Sequence, residues 1–265
     1  MTLTNMDFSL DGVNASTKNF ETHNIFIPPL PEIEEAKISI PKLQGEIETN
    51  EKFLRKPIRI KGTLRGTSYS NLLSNIATFS AYLGGSLPKE FIRYGLTDRY
   101  YLVKCKSIPE PEIDVNFATY EFTLNCADPF AYGTTATTSD ETITSSGTTY
   151  IVANGGHTYA FPVITFTFNQ DMQHIYVANN TIVDEVANRF DISKAFSSGD
   201  VLVVDCKNGT IKLNGANSPA GFGDGGNEMA EFIFLATGNN ELEVGTTDES
   251  INVDVDLSFE KVYLY

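Results

Sequence analysis

The chain has 265 residues, 41% of them hydrophobic, with 34 acidic residues against 19 basic ones and a formal charge of −15. That length suits two ordinary domains, each burying its own core without disulfide or metal staples. No window approaches the run of about 18 apolar residues that crosses a bilayer, and MTLTNMDFSL lacks the basic start and apolar stretch of a signal peptide, so folding in a cytoplasm without a membrane partner is expected.

The charge is unevenly spread. Residues 1–133 carry 14 Lys and Arg against 16 Asp and Glu, whereas residues 134–265 carry 5 against 18, a net −13. The acidic half would repel phosphate backbones, which argues against direct nucleic-acid binding there and favours a basic partner or plain solubility. Cys105, Cys126 and Cys206 are odd in number, far apart and free of any CxxC pairing, so they read as reduced core residues.

In chain order, the Pro-punctuated stretch IFIPPLPEIEEAKISIPKLQGEIE reads as extended strand and arm suited to pairing with a neighbour. KPIRIKGTL (Lys56 to Leu64) is a strand. It is followed by a helix in TSYSNLLSNIATFSAYLGG, where Leu72, Ile76, Phe79 and Leu83 form an apolar stripe, Ser68 or Ser70 caps the start and Gly84 offers a left-handed stop. YYLVKC (Tyr100 to Cys105) and TYEFTL (Thr119 to Leu124) are further strands. FTLNCADPFAYG then closes the half: Cys126 packs inward, Pro129 stops the strand, Asp128 accepts turn amides, and Phe130 and Tyr132 anchor the turn. No basic neighbour in sequence activates Cys126.

The Thr/Ser-rich stretch GTTATTSDETITSSGTTY has little to bury and places a linker near residues 133–140, with Ile143 and TYIVAN as candidates for the first strands of the second domain. Beyond it VITFTF (Val163 to Phe168), HIYVAN (His174 to Asn179) and DVLVVDC (Asp200 to Cys206) are strands. A two-residue hairpin turn is expected at Asn208-Gly209 before TIKLN, and another turn at Gly215. Near the C-terminus Ile251, Val253, Val255, Leu257 and Phe259 alternate with polar residues, as in a half-buried antiparallel strand. The second half therefore reads as one antiparallel sandwich.

Chemistry is hard to find. His23, His157 and His174 are scattered without metal-ligand spacing, and a Ser-His-Asp triad would need distant pieces. The pairs Asp254/Asp256 and Glu241/Glu243 read as the charged outer face of a sheet. AGFGDGGNEMAEF lacks a phosphate loop's Lys-Ser/Thr ending, and Asp224, Asn227 and Glu228 do not match a calcium loop, so it reads as a strand connection. No catalytic, cofactor-binding or metal-ligating residue is expected. The rival readings are a glycosidase, which needs a carboxylate pair about 5–10 Å apart in an aromatic-walled cleft, and a carbohydrate-binding β-sandwich module for host-surface recognition, weakened by the lack of Trp although 12 Tyr could substitute.

The order of KPIRIKGTLRGTSYSNLLSNIATFSAYL, FIRYGLTDRYYLVKC with TYEFTLNCADPFAYG, a Thr/Ser linker, FPVITFTF and GDVLVVDCKNGTIKLNG resembles the distal tail proteins of long-tailed, siphovirus-type bacteriophages, from about residue 50 onward. The resemblance rests on Asp128, Pro129, Phe130 and Tyr132 in the first half and on Gly199, Asp200, Asp205, Asn208, Gly209, Thr210, Asn214 and Gly215 in the second. It implies a mainly β fold: a tail-tube-like β-sandwich or split barrel with one α-helix over 1–133, and a galectin-like antiparallel β-sandwich docking domain over 134–265, with no room for an inserted module.

The resemblance further implies a structural, non-enzymatic protein of the virion tail tip. Its subunits would form a homo-hexameric ring, possibly stacked, joining the tail tube to the baseplate or adsorption apparatus. Expected partners are the tail tube protein, the tail-associated hub protein, the tape measure protein and the receptor-binding protein. DNA would only pass transiently through the channel. The expected ring interface is segment 20–66 with the loop around 84–98.

Overall fold

The computed structural model describes residues 6–38, 47–105, 108–182, 189–219, 221–223 and 232–265. The chain is mainly β, with one α-helix among the described residues, and divides into two compact units, Met1–Thr134 with Tyr263–Tyr265, and Thr135–Val262. Among the described residues no helix is long and apolar enough to cross a membrane.

The first unit is built on one long antiparallel sheet. Its strands run in the hydrogen-bonded order Val13–Asn14, Phe8–Leu10, Lys89–Arg93, Leu96–Cys105, Phe117–Cys126, Lys56–Arg65, Phe20–Phe26. The central pair Lys56–Arg65 and Phe117–Cys126 stays in register over ten residues. Its inward positions Ile58, Ile60, Leu64, Ala118, Tyr120, Phe122, Leu124 and Cys126 are all buried, following the two-residue period of a strand. On this face lies the helix Tyr69–Leu83, with Phe79 stacked on Phe20 at 4.4 Å and edge-on to Phe122 at 6.0 Å.

The expected stripe of the helix is buried at Leu72, Phe79 and Leu83, and half-buried at Ile76. Ser68 is the cap, accepting a hydrogen bond from the Asn71 amide at 3.2 Å. Tyr82 was not in the stripe but is also buried, because its hydroxyl donates to the Val13 carbonyl and accepts from the Leu10 amide. The expected left-handed stop at Gly84 is not formed. Gly84 is extended (φ −70°, ψ 171°), and its N–H closes the last helical turn onto the Ser80 carbonyl as the chain leaves straight.

The segment expected as a loop around 84–98 also differs. Most of it belongs to two strands, Lys89–Arg93 and Leu96–Cys105, joined at Tyr94-Gly95, because Phe91 has a core site against Phe8 at 5.5 Å.

The second unit is a sandwich. One sheet orders Thr137–Ile143, Val253–Phe259, Val163–Phe168, Val201–Asp205, Thr210–Leu213 and Ala216–Asn217; the other orders Thr148–Asn154, Gly238–Gly245, Met172–Asn179, Arg189–Phe196 and Phe222–Gly223. Phe168 of the first sheet stacks on Phe196 of the second at 4.2 Å. All five alternating residues from Ile251 to Phe259 are buried.

Two turn and linker expectations are corrected. The linker expected near residues 133–140 is not free, since Thr137–Ile143 pairs with Val253–Phe259, while TYIVAN falls in the strand Thr148–Asn154, paired with Gly238–Gly245. Edge strands of Thr and Ser satisfy their backbone through a neighbour and need few apolar side chains. The first Asn-Gly is not a two-residue turn, since Asp205 pairs with Thr210 across a four-residue loop. The two-residue turn is the second one, Asn214-Gly215, with φ of 51° and 80° between the paired Leu213 and Ala216.

Candidate interaction surfaces

The Asp-Pro-aromatic turn that ends the first unit's last long strand is structural. The Asp128 carboxylate accepts the Phe130 amide at 3.3 Å and the Tyr132 hydroxyl, and Phe130 meets Phe53 edge-on at 5.5 Å. Cys126 is fully buried and opposite Lys56 in the ladder, so a basic residue does lie beside it in space. Sequence distance hid that pairing. Burial pushes the Cys126 thiol up to about 12, outweighing the nearby Lys56, which rules out an activated thiolate. Cys206 is likewise pushed up to about 12 by burial, and Cys105 is half-buried and forms no disulfide.

The residues of the second-half signature tie its hairpin together. Asp200 accepts the Ser197 amide at 2.9 Å and the Asn214 side chain at 2.8 Å, while Asn214 accepts the Val201 amide at 2.9 Å. Asp205 accepts both the amide and the side chain of Asn208, at 2.9 and 2.7 Å. Gly209 then closes the loop at φ 62°. The motif is thus a set of Asx-type ties within the hairpin.

One histidine does find a carboxylate. His174, 8% exposed, lies with Nε2 at 2.9 Å from Asp191, and its Nδ1 accepts the Thr247 backbone N–H at 3.1 Å. A backbone donor on Nδ1 places the proton on Nε2, so neither nitrogen is available as a general base. Arg189 adds two bonds to Asp191, at 2.9 and 2.8 Å, and stacks over Tyr176 at 3.9 Å. Tyr176 donates to Glu243 at 2.7 Å, and Asn180 donates to the same carboxylate at 2.9 Å. Desolvation raises the Asp191 carboxyl, but Arg189 and His174 overcome it and hold it below the usual range. Periodicity could not signal this network, because its members come from three strands.

Asp254 accepts the Thr142 hydroxyl at 2.7 Å and the Asn169 amide at 3.0 Å on an outer sheet face. Among the described residues no group of three His, Cys, Asp or Glu is placed to hold a metal. Asp224, Asn227 and Glu228 of the glycine-rich segment lie outside the described residues.

Within segment 20–66 two features have unmet pairing capacity. Phe20–Phe26 ends the sheet order, pairing on one side only, to Lys56–Arg65. Ile33–Ile38 and Ile47–Phe53 form a two-stranded sheet that joins no other strand among the described residues, with Ile33 and Phe53 exposed. Such a ribbon is marginal alone and gains from a neighbouring surface.

Comparison with known proteins gives two family matches in chain order. Residues 14–126 match the phage tail protein RIFT-related domain, and residues 155–263 match the C-terminal domain of the siphovirus-type tail component. Among solved structures, the hub protein Dit of phage SPP1, described as a paradigm of the hub adsorption apparatus of phages infecting Gram-positive hosts, aligns with a TM-score of 0.79 and 17% identity over 98% of this chain and 99% of its own. That likeness is one of fold. Two chains from phage p2 baseplates in the activated conformation align more loosely. The one with strontium scores 0.49 at 7% identity, covering 96% of this chain and 97% of its own; the one with calcium scores 0.46 at 8%, covering 97% and 98%. No curated protein matches.

Proposed function

The chain belongs to the distal tail protein family of siphovirus-type bacteriophages, and from that premise we propose that its subunits close a six-membered ring at the end of the tail tube. It is a structural component of the virion tail. The observation that carries this reading is the pair of family matches, one in each compact unit and in the family's order. In the proposed assembly the first domain, 1–133, surrounds a channel through which DNA passes, and the second, 134–265, projects as a docking platform. The ring would connect the tail tube, tape measure and tail-associated hub proteins to the receptor-binding protein. It would be made in the host cytoplasm and would catalyse no reaction.

The edge of Phe20–Phe26, paired on one side only, and the ribbon of Ile33–Ile38 and Ile47–Phe53, which pairs with no other strand among the described residues, support closure through segment 20–66. Every copy carries both a pairing edge and a strand pair in need of a surface, and cyclic closure would satisfy both around the ring. Light scattering of the purified protein tests this. A species near six times 29.2 kDa with ring-shaped particles in negative stain is expected, and replacing residues 33–53 by a short Gly-Ser linker should leave a folded monomer. A wild-type chain that stays monomeric at high concentration and with purified tail tube protein would overturn the ring.

A further inference from the structure

Tyr159, Phe161 and Phe234 of the second unit form an outward aromatic cluster that the fold does not use. Ala160 and Leu235 make a two-way backbone bridge, N to O at 2.9 and 2.7 Å, and both side chains are fully buried. Because side chains alternate, the flanking residues Tyr159, Phe161 and Phe234 point to the opposite side of that bridge. Tyr159 is 51% and Phe161 38% exposed. The backbone beneath is pinned: Asn154 donates to the carbonyls of Thr158 at 3.0 Å and Leu235 at 3.1 Å, and Asn179 donates to that of Phe234 at 2.8 Å. Rigid exposed aromatics are the residue type that anchors protein interfaces.

The geometry selects the occupant. The rings meet edge-on, at 5.6 to 6.4 Å and interplanar angles of 64 to 79°, so they make a notch and not the flat platform on which a pyranose stacks. Asn154 and Asn179 beside them cannot direct a sugar either, since Asn154 spends its amide on backbone carbonyls and Asn179 on the Phe234 carbonyl and the Asn240 side chain, and their oxygens accept the Gly156 and Thr181 amides. A notch of ring faces suits an alkyl stem ending in a cation, and among the described residues no Lys or Arg of this chain stacks on these rings. The half that carries the cluster has a net charge of −13, which draws a basic surface toward it.

We infer that this cluster is the anchor by which the second unit holds another virion protein, a basic surface that inserts a lysine or arginine into the aromatic notch. The inference deepens the docking role proposed above and rests on it. The test places the photocrosslinker p-benzoylphenylalanine at position 159 in assembled virions and maps crosslinks by mass spectrometry. Crosslinks to a different virion protein, at a Lys- or Arg-bearing segment, are expected. The purified partner so identified should then bind the full chain more weakly as NaCl rises, and bind Tyr159→Ser/Phe161→Ser about 30-fold more weakly. The double variant should keep its thermal midpoint within about 3 °C. Crosslinks to a second copy of this chain, crosslinks to an acidic segment, or no protein crosslink would each overturn the inference. If the crosslinks fail while the variant chain still forms rings and enters virions, the anchor is wrong and the ring stands; if neither chain enters virions, the tail-hub reading itself falls.

Discussion

Cys126 and Lys56 are neighbours because ladder register sets them opposite each other, and the pair shows how burial governs chemistry in this protein. Lys56 is fully buried, with its ammonium donating to the Leu264 carbonyl and 5.4 Å from the Tyr101 ring centre, and burial lowers its pKa from 10.5. Cys126 and Cys206 move the other way, from 9.0 up to about 12. A raised folded-state pKa contributes stability that is complete below the unfolded value and is lost as pH climbs. Unfolding should therefore set in between pH 9.0 and about 12, and at pH 8 both thiols should react with a thiol reagent only after denaturant is added. Rapid native labelling of Cys126 would contradict this.

Asp191 titrates in the opposite sense. Its folded pKa lies below 3.8, so its bonds to Arg189 and His174 stabilise the protein above that pH and are lost as pH falls through the folded value. Asp191→Asn should cost about 2 kcal/mol at neutral pH. In urea titrations the gap from wild type should close in acid.

At the scale of elements, close packing and turn geometry decide which changes are tolerated. Gly62 sits in the central strand Lys56–Arg65, where an added methyl would meet the Phe20 ring at 2.4 Å and the Glu21 carbonyl at 2.5 Å. Gly62→Ala should cost about 1–3 kcal/mol in a denaturant melt. Ser68→Ala, which removes the helix cap, should cost about 1 kcal/mol. Gly215 occupies φ 80° with no atom near its missing methyl, so Gly215→Ala is a strain effect alone, about 1 kcal/mol. The same substitution at an exposed glycine of negative φ should instead stabilise by about 0.5 kcal/mol.

Elements with strong periodicity were legible from residues: the stripe of the helix, the strand from Lys56 and the alternation from Ile251 to Phe259. The stretch expected as a linker was not, since its strand Thr137–Ile143 is held by a partner about a hundred residues away. Nor could local sequence say which Asn-Gly makes the tight turn. That choice follows from the register of Val201–Asp205 against Thr210–Leu213, where Asp205 ties up Asn208.

For the whole molecule, net charge governs the response to nucleic acid. With a net charge of −15, the chain should not shift duplex DNA in a native gel at physiological salt, even if DNA traverses the proposed ring. A salt-sensitive duplex complex would require a basic channel face that outweighs this field.

Composition, charge and periodicity by themselves determined the mainly β class, the packed thiols and the acid excess of the second half. These depend only on which residue types alternate and how many there are of each. The Asp-Pro-aromatic turn and the Asp/Asn-Gly signature were legible for a related reason: each satisfies its own backbone within a few residues. Tertiary structure alone decided the His174–Asp191–Arg189 network, the Lys56–Cys126 pairing and the aromatic notch of Tyr159, Phe161 and Phe234. Their members come from separate strands, and sheet order and register, set by burial across the whole chain, bring them within reach of one another.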